Sequence, residues 1–343
     1  MDRREIGRSG LAIAPLMLGG NVLGWTADEA ASFAILDAFL DAGFNAIDTA
    51  DQYSCWVPGH QGGESERMIG RWLKARGGRD RIVLATKVGS TPPKPGRPGF
   101  GRSGWGSDLS AQHIERAVEG SLARLQTDHV DLYQSHLDDP GTPLEETLEA
   151  HDRLMRGGKV RAIGASNHAT PRLAEALAVS DARGLSRYQS LQPRYNLRDR
   201  EGFEGGLQSL CLREGLGVLC YSALAQGFLT GHYRTKVQRA QSQWRPPLDA
   251  AADARGLRIL DALAEVAAAA GATMGQVALA WLVAQPGVTA PIVAVNDLEQ
   301  LREALGAFMI RLDPATLERL SAAGGPSPPD APPVAAQDEM GRR

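Results

Sequence analysis

Eight short apolar runs punctuate the chain: 16–20 (LMLGG), 44–48 (FNAID), 82–87 (IVLATK), 130–136 (VDLYQSH), 160–167 (VRAIGASN), 187–192 (RYQSLQ), 217–222 (GVLCYS) and 290–295 (APIVAV). Each is mostly continuous rather than alternating, the pattern of parallel strands covered on both faces. The segments between them carry helical periodicity and start signals. In LSAQHIERAVEGSLARL the apolar stripe is Ile114, Val118, Leu122 and Leu125. In TPLEETLEAHDRLMRGGK, Thr142, Pro143 at the first helical position and Glu145 predict a capping box, and Gly157-Gly158 a stop. Thr170-Pro171 and Asp313-Pro314 predict starts of the same kind.

Strands alternating with helices give an α/β fold, either an open doubly wound sheet or a closed (β/α)₈ TIM barrel. The count of eight, and the lack of a G-x-G-x-x-G after the first run, favour the barrel. REIGRSGLAIAP reads as an N-terminal β-hairpin closing the bottom of that barrel. Three long connections, 49–64, 88–109 and 223–254, would all rise from the C-terminal mouth, where function collects in this architecture. Residues 1–324 are expected to form one barrel domain. Residues 325–343, rich in Pro and Gly, are expected to form a flexible tail.

Composition narrows the function classes. A net charge of −3 over 343 residues offers no excess that would favour nucleic acid or acidic membranes. No apolar run approaches the length of a membrane span, and the N-terminus lacks the apolar core of a secretory signal. Cys55, Cys211 and Cys220 lack zinc-site spacing and cannot all pair, so a reducing cytoplasm and no metal are expected. A soluble globular protein is expected.

Its chemistry is suggested by the strand ends. Asp48, Lys87 and His136 close three successive runs, and Tyr53 lies just beyond Asp48. A barrel brings such ends to one mouth. A lysine ending an apolar strand needs a carboxylate nearby, and Asp48 is the obvious one. An ammonium beside a tyrosine favours the phenolate, which makes Tyr53 a candidate acid or base. His136 would hydrogen-bond a substrate oxygen. Each residue alone has a plain structural reading; together they point to an active site.

The motifs GFNAIDTADQY, GGESERMIGRWL, VLATKVG, LQTDHVDLYQSHLDD, GGKVRAIGASN, YQSLQPRYNLRDR, VLCYSALAQGFLTG and VNDLEQLREALGA carry a resemblance to the aldo-keto reductases over residues 3–322. The resemblance implies a (β/α)₈ barrel that binds a nicotinamide cofactor without a Rossmann fold. It implies Tyr53 as the general acid for a carbonyl oxygen, Lys87 as the residue that tunes it, Asp48 paired to Lys87, and His136 orienting the carbonyl. It implies nicotinamide contacts at Gly20, Asn21, Val22, Asp48, Ser166, Asn167 and Gln189, with Tyr221 stacked on the ring. Ser222, Leu224, Gln226, Gly227 and Gly231 would meet the pyrophosphate, and Ala294, Asn296, Gln300 and Glu303 the adenosine end. The chain departs from the family there: no cation stands at Asn296, and Ala304 replaces an asparagine. A 2′-phosphate benefits from a cation, which Arg302, Arg234, Lys236 or Arg239 would have to supply. NADP(H) is the expected cofactor, with NAD(H) as the alternative.

The expected partner is a small carbonyl or alcohol compound. Trp25, Trp56, Trp105 and Trp244 fall in or beside the long loops. Trp25, Trp56 and Trp105, with His60, are expected to wall the substrate pocket, and Trp244 to pack its loop onto the barrel. STPPKPGRPGFGRSGWGSD has the Gly and Pro content of a mobile lid. The competing reading is a cofactor-binding sensor of the channel β-subunit type, with little turnover. A metal-dependent hydrolase fits less well, because only Asp48 and His136 are strand-end ligand types.

Overall fold

The computed structural model describes residues 2–91, 105–242 and 245–325. The hairpin pairs β1 (Arg4–Glu5) with β2 (Ala12–Ile13), antiparallel. The eight runs follow as β3 (Met17–Gly19), β4 (Ala46–Asp48), β5 (Val83–Val88), β8 (Val130–Ser135), β9 (Val160–Ser166), β10 (Tyr188–Gln192), β11 (Gly217–Cys220) and β12 (Val288–Val293). Two more short strands, β6 (Ser90–Thr91) and β7 (Gly106–Ser107), pair at the root of the loop after β5. The eight long runs close into one barrel, each parallel to its neighbours, with β12 returning to β3.

Two cores result. A large outer core lies between strands and helices, and a smaller one fills the barrel with Met17, Ala46, Val83, Ala85, Leu132, Ala162, Leu219, Ala290 and Ile292. Ile6 and Ile13 from the hairpin belong to that inner core, so the hairpin stoppers the bottom of the barrel, as its sequence suggests. Side chains alternate along a strand. Two residues beyond the inner-core positions therefore stand Asp48, Lys87, Gln134, Gly164, Tyr221 and Ala294, which form the layer nearest the mouth.

The helix over Ala111–Leu125 buries Ile114, Val118, Leu122 and Leu125, the expected stripe, and Ser110 caps it by accepting from the His113 amide. Asp313 likewise caps Pro314–Ala323. The other two expected starts differ. The helix after β8 begins at Leu144 with Pro143 as cap residue, and no capping box forms. Thr142 instead donates to Asp139 at 2.7 Å, because Asp139 gathers the whole turn through Gly141 and Leu109 as well. Thr170 is the first helical residue rather than the cap, which is Ala169. The expected tail from residue 326, most of the expected lid and Trp244 lie outside the described residues. Among the described residues no single helix is long and apolar enough to cross a membrane.

Candidate active site

Lys87 is wholly buried, and all three of its N–H donors are used. Nζ donates to Asp48 Oδ2 at 2.6 Å, to the Thr49 carbonyl at 2.9 Å and to the Tyr53 hydroxyl at 3.1 Å. Burial works against the charge, but the Asp48 carboxylate and Tyr53 outweigh it and hold the lysine pKa above its ordinary value. The three acceptors come from β4 and the turn beyond it, so the strand end fixes the ammonium from one side. His136 faces Tyr53 edge-on from the end of β8, with ring centroids 6.0 Å apart. The four strand-end candidates are therefore one cluster.

A cavity of about 350 Å³ opens beside this cluster and runs to the end of β12. Tyr53, His136, Asp48, Ser166, Asn167 and Tyr221 line one end of it, and Ala294, Asn296, Gln300 and Glu303 belong to the other. Asn167 is held firmly. Its amide donates to the His136 carbonyl at 3.0 Å, and its oxygen accepts from the Tyr221 hydroxyl at 2.8 Å. Between the ends, Ser222, Leu224, Gln226 and Gly227 line the wall. Ser222, Ala225 and Gln226 all have positive φ, near 53°, 49° and 53°. Non-glycine residues there cost roughly 1–3 kcal/mol each and cluster at ligand clamps. Asn196 supports this stretch by donating to the Ser222 carbonyl at 2.9 Å.

An elongated cavity with carboxamide groups at one end, a strained backbone loop in the middle and Asn296, Gln300 and Glu303 at the other fits a dinucleotide. None of the described residues lining it is lysine or arginine. Arg234 is engaged with Asp261, and Arg239 with Asp249. Asn296 is tied to Thr26 at 2.6 Å and to Gln300 through its backbone N–H at 2.9 Å. Among the described residues no group of three His, Cys, Asp or Glu could hold a metal ion.

Several sequence expectations shift. Gln189 does not reach the cavity. Its Oε1 accepts from the Arg8 amide at 3.0 Å and its Nε2 donates to the Arg187 carbonyl, at the hairpin end of the barrel. It sits three residues too early in β10, whose last residue, Gln192, lines the cavity in its stead. The rule that picked out Asp48 and His136, a polar residue closing a strand, would have found Gln192. Gly20 lies behind the wall, packed against Ser65 so closely that a Cβ would meet its hydroxyl at 2.7 Å, while Asn21 and Val22 line the cavity. Gly231 is likewise outside the lining, between Thr230 and His232, which are in it. Of the aromatic wall, Trp56 lines the cavity and stacks edge-on against Tyr53 at 5.4 Å. Trp25 backs Trp56 at 5.9 Å from outside. His60 contacts Ser54 at 2.9 Å and braces the loop rather than the cavity, and half-buried Trp105 is not in the lining.

Residues 15–324 match the Aldo/keto reductase family. The chain is 36% identical over 323 residues to an uncharacterized oxidoreductase, YrpG, of Bacillus subtilis, covering 94% of this chain and 95% of the relative. It is 34% identical to the aldo-keto reductase dtxS3 of Metarhizium robertsii, covering 90% and 86%. It is 30% identical to the aldo-keto reductase yakc [NADP(+)] of Schizosaccharomyces pombe, covering 92% and 89%.

Proposed function

Because the chain belongs to the aldo/keto reductase family, and is an oxidoreductase of that family, we propose that it interconverts a small carbonyl compound and its alcohol, with Tyr53 as the general acid and base. The supporting observation is the three-acceptor seat of Lys87, which delivers a buried ammonium to the Tyr53 oxygen at 3.1 Å. The cofactor, when bound, supplies or accepts a hydride at the carbonyl carbon. In the reducing direction Tyr53 gives its proton to the carbonyl oxygen as charge develops there, and the alcohol is complete. The phenolate left behind faces the Lys87 ammonium, which stabilises it until a solvent proton replaces the one spent. His136, held by its backbone between Val88 and Asn167, orients the carbonyl oxygen. These donors are in place before reaction, so they lower the barrier without reorganisation. The reverse sequence oxidises an alcohol.

Asp48 keeps Lys87 charged. Ser166, Asn167 and Gln192 would take the nicotinamide amide, Tyr221 its ring, the 222–227 stretch the pyrophosphate, and Asn296, Gln300 and Glu303 the adenosine. NADP(H) is the proposed cofactor. A site whose described lining holds only neutral and acidic groups at that end discriminates weakly, so NAD(H) is expected to bind within about tenfold of it, the factor that ~1.4 kcal/mol represents.

The experiment is Tyr53→Phe, assayed on a panel of aldehydes, ketones and sugars with both cofactors. Loss of proton donation is expected to lower kcat by about 10²–10⁴-fold, with cofactor dissociation constants unchanged. A variant that reduces a good aldehyde at the wild-type rate would refute the mechanism. Wild-type protein that binds cofactor and turns over none of the panel would favour the sensor reading.

A further inference from the structure

Asp48 has two oxygens, and only one serves Lys87. The other, Oδ1, accepts from two carboxamides that reach it across the barrel: Gln134 Nε2 at 3.1 Å and Gln192 Nε2 at 3.0 Å. Gln192 Nε2 also lies 3.2 Å from Gln134 Oε1. All three side chains are essentially out of solvent, at 2%, 0% and 2% exposure for Asp48, Gln134 and Gln192. Space for this crossing is made by Gly164 on β9, where a Cβ would stand 3.2 Å from Gln134 Cγ and 2.3 Å from the Ser190 hydroxyl.

The two glutamines are not equivalent. Gln192 lines the cavity beside Ser166 and Asn167, whereas Gln134 does not reach it. A ligand amide seated at Ser166 and Asn167 therefore draws on Gln192, and nothing in the cavity competes for Gln134. We propose that Gln134 is the permanent anchor of Asp48, a positioning residue that holds Oδ1 while Gln192 is shared with a bound cofactor. With the anchor in place, the carboxylate keeps its orientation toward Lys87 throughout the cycle. Without it, Gln192 alone serves Oδ1, and cofactor binding competes with the geometry of the ion pair. This inference rests on the reductase reading above.

Two variants test it in the full-length protein. Gln134→Leu keeps the approximate volume and removes the donor. It is expected to lower kcat about tenfold with the carbonyl KM little changed, and to weaken NADPH binding several-fold, read by fluorescence quenching, because Asp48 then retains Gln192. Gln134→Glu can donate to Asp48 only while its carboxyl is protonated. Its kcat/KM should approach wild type at the acid end of the profile and fall as pH rises, with a limb that wild type lacks. The charged and titratable groups facing position 134 are Asp48 on β4, Lys87 on β5 and, at the mouth, Tyr53 and His136. They are common to both proteins, so the difference between profiles isolates residue 134. A Gln134→Leu protein with wild-type kcat and wild-type NADPH affinity overturns the proposal, as does a Gln134→Glu profile parallel to wild type. A wild-type protein that binds NADPH and reduces no carbonyl compound sinks the reductase reading alone, and the NADPH affinities then still decide the anchor.

Discussion

Burying an ion pair is costly unless every remaining donor and acceptor is satisfied, and the Asp48–Lys87 pair meets that condition with Thr49, Tyr53, Gln134 and Gln192 as partners. Asp51, three residues on, is the contrasting case. Its Oδ1 is covered and has no hydrogen-bond partner among the described residues. Burial, then repulsion from Glu66, outweighs the pull of Arg124 and Lys87 and pushes its pKa from 3.8 up to about 8. The folded protein thus keeps a proton that the unfolded chain has already released. Stability contributed by that proton is full below the unfolded pKa and declines as pH rises through the folded one, because unfolding releases a proton across that window. Asp51→Asn mimics the protonated acid. Thermal melts from pH 5 to pH 8 should show the variant gaining on wild type as pH rises. Parallel melting curves over that range would mean that Asp51 is ionised in the folded state. Sequence singles out Asp48 as the residue closing its strand, but it gives no sign of the raised pKa of Asp51, because Glu66, Arg124 and Lys87 come from other strands and helices.

The loop after β4 shows how an element can be built around one carboxylate. Glu64, at the head of the helix Glu64–Arg76, accepts backbone N–H groups of Ser54, Gln61 and Gly62 at 3.2, 3.0 and 2.9 Å. The Ser54–His60 contact and the Trp25 ring complete the brace. Trp56 thus stands in the cavity wall with edge-on ring contacts to both Trp25 and Tyr53. Trp56→Ala is expected to raise KM several-fold for bulky or aromatic carbonyl substrates, and to leave a short aliphatic aldehyde nearly unaffected. Unchanged KM values across the panel would show that Trp56 does not shape the substrate pocket. Helix starts teach the same lesson at smaller size. Asp313 caps as its local sequence suggests, whereas Thr142 is captured by Asp139, a competitor brought close by the turn itself.

Across the whole molecule, the hairpin plug and the proposed active site lie at opposite ends of the barrel. The hairpin places Ile6 and Ile13, both fully buried, in the inner core below Met17 and Ala46. Ile13→Ala should cost about 2–5 kcal/mol in urea unfolding, by lost transfer energy and a residual cavity, while kcat of the folded protein stays at the wild-type value. A fall in kcat as large as the Tyr53→Phe effect would show that bottom and mouth are coupled. What the sequence determined by itself were the eight apolar runs, their parallel character, the hairpin and the polar residues closing strands. Those follow from local periodicity, which a chain carries before it folds. Tertiary structure decided what closure alone can decide. Barrel register sends Gln192 to the cavity and leaves Gln189 beside Arg8. Curvature brings Gln134 from β8 and Gln192 from β10 onto one oxygen of Asp48. Residues 86 and 144 positions apart in sequence meet there, and their meeting depends on strand stagger and on the room left by Gly164, neither of which has a local signature.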